Sequence, residues 1–551
     1  MAGSIQFEGN QSISDQDLSK ARVQLSEQDG QFVPVPRGAP VTLSELRAES
    51  LSADAVDAVI RAISALYQDA GLLAVRVTVT RDAYEAALAG QDLIITVTEG
   101  RVNEARVVST DSETAVPARV AQRILEGAPV SAGDNLDGAQ LDRSIGLMNR
   151  YSPDYVRPVL LSGPTGQIEL EYRVAVGEKL SASYAIDNYG SDSSGELRHS
   201  VEAQVNRLFT AADHVKFSGS LAHEEDTFFL RGAYFLPLDG MGQNRLRLSA
   251  YRSEFNSEDI GLARLDFSGE TTGAILGFER TLWSNKGSYL DLSLGLQYMH
   301  ANQDNSSVGI TEEDSDFLLP FADLTLSKSE IDHSWVLGLK LEGNLAGLAD
   351  TGDAIELARM GRLNAEPEFI TGSVFTGLQT YLDPTFSDTN RRIHELLFSG
   401  TAKSSFGDRL PANFLNVLGG ANTVRGYSVA AASGDASLYA QLDYRIHLNR
   451  SFQTTESASD YRLNPRFSGD MPPVDLALGF FTDYGQIDTV DELAFEDSGD
   501  LWSAGLGFYG KASRHLTVSA EYGWILTDYE TASDIEESGD GKFYFSAEFR
   551  F

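Results

Sequence analysis

Two short clusters carry residue types from which a site could be built. One is Val424-Arg425-Gly426-Tyr427, inside a loop predicted over residues 405–436. The other is Phe481-Thr482-Asp483-Tyr484-Gly485, at the end of a segment that alternates apolar and small residues. Val474, Leu476, Leu478 and Phe480 mark one face of that segment, so Phe481, Asp483 and Gly485 project from the other. A carboxylate held in a narrow interior needs a partner, and a guanidinium can offer two parallel hydrogen bonds. Gly426 permits a backbone bend and Gly485 leaves room beside such a pair. Other chemistries find no footing. The chain has 8 His and no Cys, with no histidine pair at metal-ligand spacing, so no metal and no cofactor is expected. No G-x-x-x-x-G-K-[ST] loop occurs. The acidic triplets Glu224-Glu225-Asp226 and Glu312-Glu313-Asp314 fall at strand ends or in loops and read as solvated charge. No nucleophile meets a base, so no catalytic residue is assigned and the protein is not expected to be an enzyme.

The element that must position Asp483 belongs to a long β region, residues 177–551. There the side chains run with period two: Leu290, Leu292, Leu294, Leu296 and Tyr298 alternate with Asp291, Ser293, Gly295 and Gln297. Trp502, Ala504, Leu506 and Phe508 do the same, as do Leu516, Val518, Ala520 and Tyr522. One apolar face and one small or polar face is the pattern of a lipid-facing wall around a wet lumen. Sixteen strands are predicted, near 179–189, 197–208, 213–224, 226–237, 243–254, 272–284, 288–300, 316–328, 332–344, 368–382, 394–404, 437–449, 473–485, 500–511, 514–525 and 541–551. Connections after even-numbered strands are mostly short, with 450–472 an exception. Those after odd-numbered strands are longer and acidic, as in 301–315, 345–367, 486–499 and 526–540. Phe543, Phe545, Ala547, Phe549 and Phe551 close the chain on one apolar face and a terminal aromatic. That ending resembles the signal by which barrels are recognised for membrane insertion.

Residues 1–176 read differently, as two α+β modules over 1–100 and 101–176 that share the order strand–helix–helix–strand–strand. In the first, a strand at Ser4–Glu8, helices at Ser14–Leu25 and Asp54–Ala70, and strands at Leu73–Thr80 and Leu93–Thr98 are expected. In the second, a strand at Val102–Ser109, helices at Pro117–Leu125 and Asn135–Arg150, and strands at Val156–Leu161 and Gln167–Val174 surround the turn Gly163-Pro164-Thr165-Gly166.

Size and charge agree with this division. At 551 residues the chain exceeds one ordinary domain, and no apolar run reaches the roughly 18 residues of a membrane helix. A net charge of −37 opposes binding to nucleic acid. No charged and apolar leader opens the chain at Met1-Ala2-Gly3, so a mature or trimmed start is expected.

The N-terminal modules resemble POTRA domains, through Ala65-Leu66-Tyr67-Gln68-Asp69-Ala70-Gly71 followed by Leu93 to Gly100. The Val-Arg-Gly-Tyr loop and the Phe-x-Asp-x-Gly strand resemble the superfamily of barrel-assembly insertases and two-partner secretion transporters. The whole chain is identified as a member of the latter, the TpsB family of haemolysin and filamentous-haemagglutinin secretion. The resemblance implies a mainly β fold, a 16-stranded antiparallel transmembrane barrel preceded by two POTRA domains. It implies that Arg425 reaches Asp483 inside the lumen, with Val424, Gly426, Tyr427, Phe481 and Gly485 around the pair. It also implies capture of a secreted exoprotein through its N-terminal secretion domain, and export without ATP. Open strand edges carrying Val75, Val77 and Val79, and Val156, Val159 and Leu161, would receive the client. Insertion into outer-membrane lipid by the barrel-assembly machinery, POTRA domains in the periplasm and a monomeric state follow the same resemblance. An assembly factor of the superfamily is the alternative, although such proteins usually carry three or more POTRA domains. A passive porin would explain neither the modules nor the motif. No plug helix opens the chain, either because it left with the signal or because this member lacks it. The client, whether adhesin, haemolysin or contact-dependent toxin, is not written here.

Overall fold

The computed structural model describes residues 1–551 except 1–2, 29, 36–38, 73, 112–113, 131, 135, 163–167, 192–194, 223–226, 261–264, 306–309, 384–389, 495, 497 and 531–534. For 162, 256–260, 265–267, 305 and 310–312 it describes the backbone alone. The chain divides into two compact units: Met1–Gly177 with Asp239–Gly242, and Glu178–Leu238 with Gln243–Phe551.

The first unit holds two three-stranded sheets. Its first half runs β1 (Ile5–Glu8), α1 (Asp15–Leu18), β2 (Arg22–Val23), β3 (Leu25–Gln28), β4 (Gln31–Pro34) and β5 (Val41–Thr42). It continues with α2 (Ala53–Asp69), β6 (Val75–Thr78), α3 (Arg81–Leu88) and β7 (Leu93–Glu99). The sheet order is β1-β7-β6, with β1 parallel and β6 antiparallel to β7. Ser52 caps α2 through the Ala55 N–H, and Val56, Val59, Ile63 and Tyr67 bury its inner face at helical spacing. Gly71, at φ +83°, ends it in the left-handed region.

Two expectations fail in this half. The helix predicted over Ser14–Leu25 is a single turn, and the chain then enters β2 and β3. Ala21, Val23 and Leu25 are buried while Arg22 and Gln24 are exposed, a period of two that no helix can satisfy. The strand predicted over Leu73–Thr80 is β6 alone; Thr80 caps α3 through the Ala83 N–H, an unforeseen helix, and Val79 lies outside the strand. Leu73 lies outside the described residues.

The second half has β8 (Val102–Ser109), α4 (Ala118–Gly127), α5 (Gly138–Arg150), β9 (Tyr155–Ser162) and β10 (Ile168–Ala175), with sheet order β8-β10-β9. Pro117 stands at the N-cap of α4, and Asp137 caps α5 through the Gln140 N–H. The turn at 163–166 lies outside the described residues.

The second unit is a closed barrel of sixteen strands, each antiparallel to its neighbours. Its first eight are β11 (Leu180–Asp187), β12 (Arg198–Asn206), β13 (His214–Ala222), β14 (Phe228–Pro237), β15 (Asn244–Ile260), β16 (Leu265–Asn285), β17 (Ser288–Asn305) and β18 (Ile310–Ser329). Next come β19 (His333–Gly343), a short helix α6 (Ala354–Arg359), β20 (Ile370–Tyr381) and β21 (His394–Ser404). After β21 a minor hairpin, β22 (Asn416–Leu418) and β23 (Ala432–Gly434), precedes β24 (Ala436–His447). The wall continues with β25 (Val474–Asp488), β26 (Gly499–Ala512) and β27 (Leu516–Ile525), then a second minor hairpin, β28 (Tyr529–Glu530) with β29 (Ile535–Glu536), and finally β30 (Gly541–Arg550). β30 closes the ring on β11, from Ser183↔Arg550 to Asp187↔Ser546.

Closure satisfies every edge, which lipid requires. Leu276, Leu294, Leu337, Trp502 and Phe480 point outward and stay about half exposed, an apolar belt that water would penalise and hydrocarbon accepts. Lys286 and Gly287, both at positive φ, form the two-residue turn between β16 and β17. We call the end where β11 begins the first rim and the opposite end the far rim. The long loop predicted at 301–315 is a correction: β17 and β18 continue to Asn305 and from Ile310, pairing polar residues such as Asn302 with Asp314. Backbone ladders can extend beyond the membrane, where alternation of apolar residues is no longer enforced.

Candidate lumen-loop site

Between β21 and β24, residues 405–435 leave the far rim and turn back against the inner wall. The β22–β23 hairpin stems this loop, and Gly419 and Gly420, at φ +108° and +86°, open its tip. Val424, Tyr427, Leu418 and Ala432 pack there with Ile487, Leu501, Ile525 and Tyr529.

At the tip, Arg425 is 4% exposed and Asp483 fully buried. Arg425 Nε donates to Asp483 Oδ2 at 2.8 Å and Nη2 to Asp483 Oδ1 at 2.8 Å, a bidentate fork. A second fork reaches Asp443 on β24, from Nη2 at 3.0 Å and Nη1 at 3.1 Å. Nη1 also donates to Glu521 Oε1 on β27 at 3.2 Å. The five N–H donors of the guanidinium thus find five acceptors. The Arg425 main-chain N–H adds a bond to Asp483 Oδ2 at 3.0 Å, and the guanidinium lies 3.5 Å from the Phe481 ring centroid. Only Arg offers this geometry; a lysine ammonium has three donors and no fork.

The neighbours fix the backbone. Gly426 sits at φ +101°, a region that favours glycine, and donates to Tyr544 Oη at 3.0 Å. Tyr544 Oη in turn donates to the Tyr427 carbonyl at 3.1 Å, and Tyr427 Oη reaches the Thr527 carbonyl at 2.5 Å. A Cβ on Gly485 would stand 2.7 Å from Val424 Cγ2, and one on Gly523 would stand 2.9 Å from Gly426 N. These two wall glycines are the recesses into which the loop fits.

The structure therefore brings together Arg425, Gly426, Tyr427, Val424, Asp483, Phe481 and Gly485. Asp443, Glu521, Tyr509 and Tyr544 complete the site and were not singled out from the sequence. Their signal was available: each occupies the inward phase of its strand, opposite outward residues such as Leu442, Tyr522 and Phe543. Tyr509 Oη donates its single proton to Glu521 Oε1 at 2.5 Å and lies 3.3 Å from Asp443 Oδ1, so it stands between the two acids.

The proposed client-binding residues lie in separate sheets. β6 and β9 are both edge strands. Val75 is half-buried, whereas Val77 and Val156 are buried, at 8% and 1%, so these two could offer a client only their backbone. Val159 and Leu161 are half-buried. On β30, Phe543 and Phe549 point outward, Phe545 is half-buried, and Phe551 donates its N–H to the Ala182 carbonyl at 2.9 Å.

A closed sixteen-stranded barrel with an arginine-anchored loop inside it, following two small α+β domains, is the architecture of an outer-membrane barrel protein. Comparison with known proteins narrows the class. A family profile described as haemolysin secretion/activation protein ShlB/FhaC/HecB matches residues 166–327, and the POTRA profile, surface antigen variable number repeat, matches residues 2–100. The hemolysin transporter protein ShlB of Serratia marcescens is 22% identical over 496 residues, 89% of this chain and 80% of that protein. Among solved structures, CdiB from Escherichia coli shares the fold at TM-score 0.68 and 19% identity, over 100% of this chain and 90% of that one. CdiB from Acinetobacter baumannii follows at 0.63 and 13%, over 100% and 90%. BamA from Haemophilus ducreyi lacking POTRA domains 1-3 shares it more loosely, at 0.53 and 13% over 100% of both chains. Together these similarities support a two-partner secretion transporter of the TpsB kind.

Proposed function

We propose that this chain captures one partner exoprotein in the periplasm and passes it outward as an extended chain through the barrel. The observation that carries the reading is the fully satisfied Arg425 anchor, which holds a 31-residue loop (405–435) inside the lumen at a defined place. A passive pore has no need of such a fixture. Under this reading the first rim faces the periplasm, the far rim faces outside, and residues 1–176 stand on the periplasmic side. The open edges of β6 and β9 would take up the N-terminal secretion domain of the client by main-chain pairing, with specificity from the side chains beside them. Among the described residues no cluster points to nucleotide use or catalysis. The drive is then folding of the client outside, which makes return unfavourable. Insertion would use the barrel-assembly machinery, with Phe543, Phe545, Phe549 and Phe551 as the recognised end, and the transporter would work as a monomer.

Deletion of residues 1–175 tests the reading. The barrel alone should insert and conduct ions, while export of the partner stops. Undiminished export by the truncated chain would overturn the proposed capture.

A further inference from the structure

A second buried ion cluster lies at the far rim and shares no residue with the Arg425 anchor. It joins three connections: 344–369, 405–435 and 489–498. Arg362, Arg409 and Asp435 are 3%, 1% and 0% exposed. Arg362 Nη2 pairs with Asp435 Oδ2 at 2.7 Å, and Arg409 Nη2 with Glu496 Oε1 at 2.6 Å. Arg409 also donates to the Leu363 carbonyl at 2.8 Å and the Val490 carbonyl at 2.6 Å. Asp435 accepts from the main-chain N–H groups of Leu410 and Val490, at 2.7 and 2.8 Å.

Connection 344–369 does not stand away from the barrel. Its Leu357, Met360 and Phe369 pack on Met299, Phe317 and Leu319, which occupy the inward phase of β17 and β18. Asp353 and Glu356 form a capping box that stiffens α6. The connection therefore folds inward over the lumen, and the ion cluster ties its end to the stem of the lumen loop.

We infer that connection 344–369 is an outer lid, latched by Arg362 and Arg409 on Asp435 and Glu496, and that this latch yields before the Arg425 anchor does. The difference lies in what each arginine holds. Arg425 binds three carboxylates on barrel strands and uses all its donors. The latch binds connection to connection, so it opens without breaking a barrel ladder. Nη1 of Arg362 has no hydrogen-bond partner among the described residues, and its Nε reaches Glu496 only at 3.4 Å. Buried donors left short of acceptors weaken the closed state.

The inference rests on the export reading, and the test separates the two. The full chain is placed in planar bilayers as the native protein and as Arg362→Ala and Asp435→Asn, each checked for a folded barrel by heat-shifted mobility. Time in the large-conductance state should rise by about tenfold or more in both variants, as loss of one member of a buried pair predicts. A second variant leaves the latch residues intact: Leu363→Cys with Val490→Cys in this cysteine-free chain, joined by a short reducible cross-linker. Large openings and export should both stop, and both should return on reduction. Unchanged conductance in the folded single variants, or export at the native rate through the cross-linked chain, would overturn the lid. If the native chain exports nothing, the export reading falls, while the conductance comparison still decides the lid.

Discussion

Replacing Arg425 by Ala would leave Asp443, Asp483 and Glu521 facing one another on the inner wall with no guanidinium between them. Removing one partner from a buried ion pair destabilises by roughly 3–5 kcal/mol, here a loss of loop anchoring rather than of the barrel. The variant should insert and keep its heat-shifted mobility while export falls by about tenfold or more. Arg425→Lys restores charge without the two forks and should fall between. Normal export by the Ala variant, measured in the medium, would remove the anchor from the account. Gly523→Val tests the same contact without touching charge. A Cβ there stands 2.9 Å from Gly426 N and 3.0 Å from Arg425 C, so the loop must lift. The expected outcome is export loss like that of Arg425→Ala, with new protease sensitivity in 405–435. Arg425 and Asp483 were legible because a loop motif and an inward phase pointed at each other. Asp443 and Glu521 shared that phase, yet no motif singled them out. Counting donors would have asked for them, since one carboxylate cannot satisfy five N–H groups. Arg362 and Arg409 were not legible, because irregular connections carry no period from which to place a side chain.

Among the elements, the barrel strands were the most readable because lipid imposes a strict rule on them. Every outward residue must be apolar and every backbone group paired, so period two survives along each crossing strand. Where the hairpins rise past the membrane the rule lapses, and the extensions of β15 to β18 went unpredicted. In the first unit helix and strand signals compete over short distances. Residues 14–25 begin with a good cap and then alternate, and the alternation decides. One carboxylate makes the stability of that unit testable. Glu99, at the end of β7, accepts from the Gln11 and Ser12 N–H groups, Ser12 Oγ and Tyr67 Oη, at 2.6–3.0 Å. Burial pushes its pKa up, but these donors outweigh burial and hold the carboxyl below its ordinary value. A depressed folded pKa gives stability that is present above the unfolded value, about 4.3 for Glu, and lost as pH falls through the lower folded one. Calorimetry of the first unfolding transition should show a steeper fall in Tm on acidification for the native chain than for Glu99→Gln. Equal slopes would mean that Glu99 does not tie β7 to the 10–12 turn.

At the scale of the whole molecule, the fold alone does not choose between export and assembly, since CdiB and BamA both share it. The choice rests on the similarity to ShlB-type haemolysin secretion/activation proteins and on two α+β domains ahead of the barrel. Net charge, −37 over 551 residues, speaks only to solubility and against nucleic acid. In the proposed capture, the exoprotein carried would be the one whose secretion domain complements β6 and β9. The most direct measurement compares secreted and outer-membrane proteins, by quantitative mass spectrometry, in cells with and without the gene. The account predicts that one large exoprotein disappears from the medium while other barrels keep their abundance. A general fall in outer-membrane barrels, with no single exoprotein lost, would contradict it and make the chain an assembly factor.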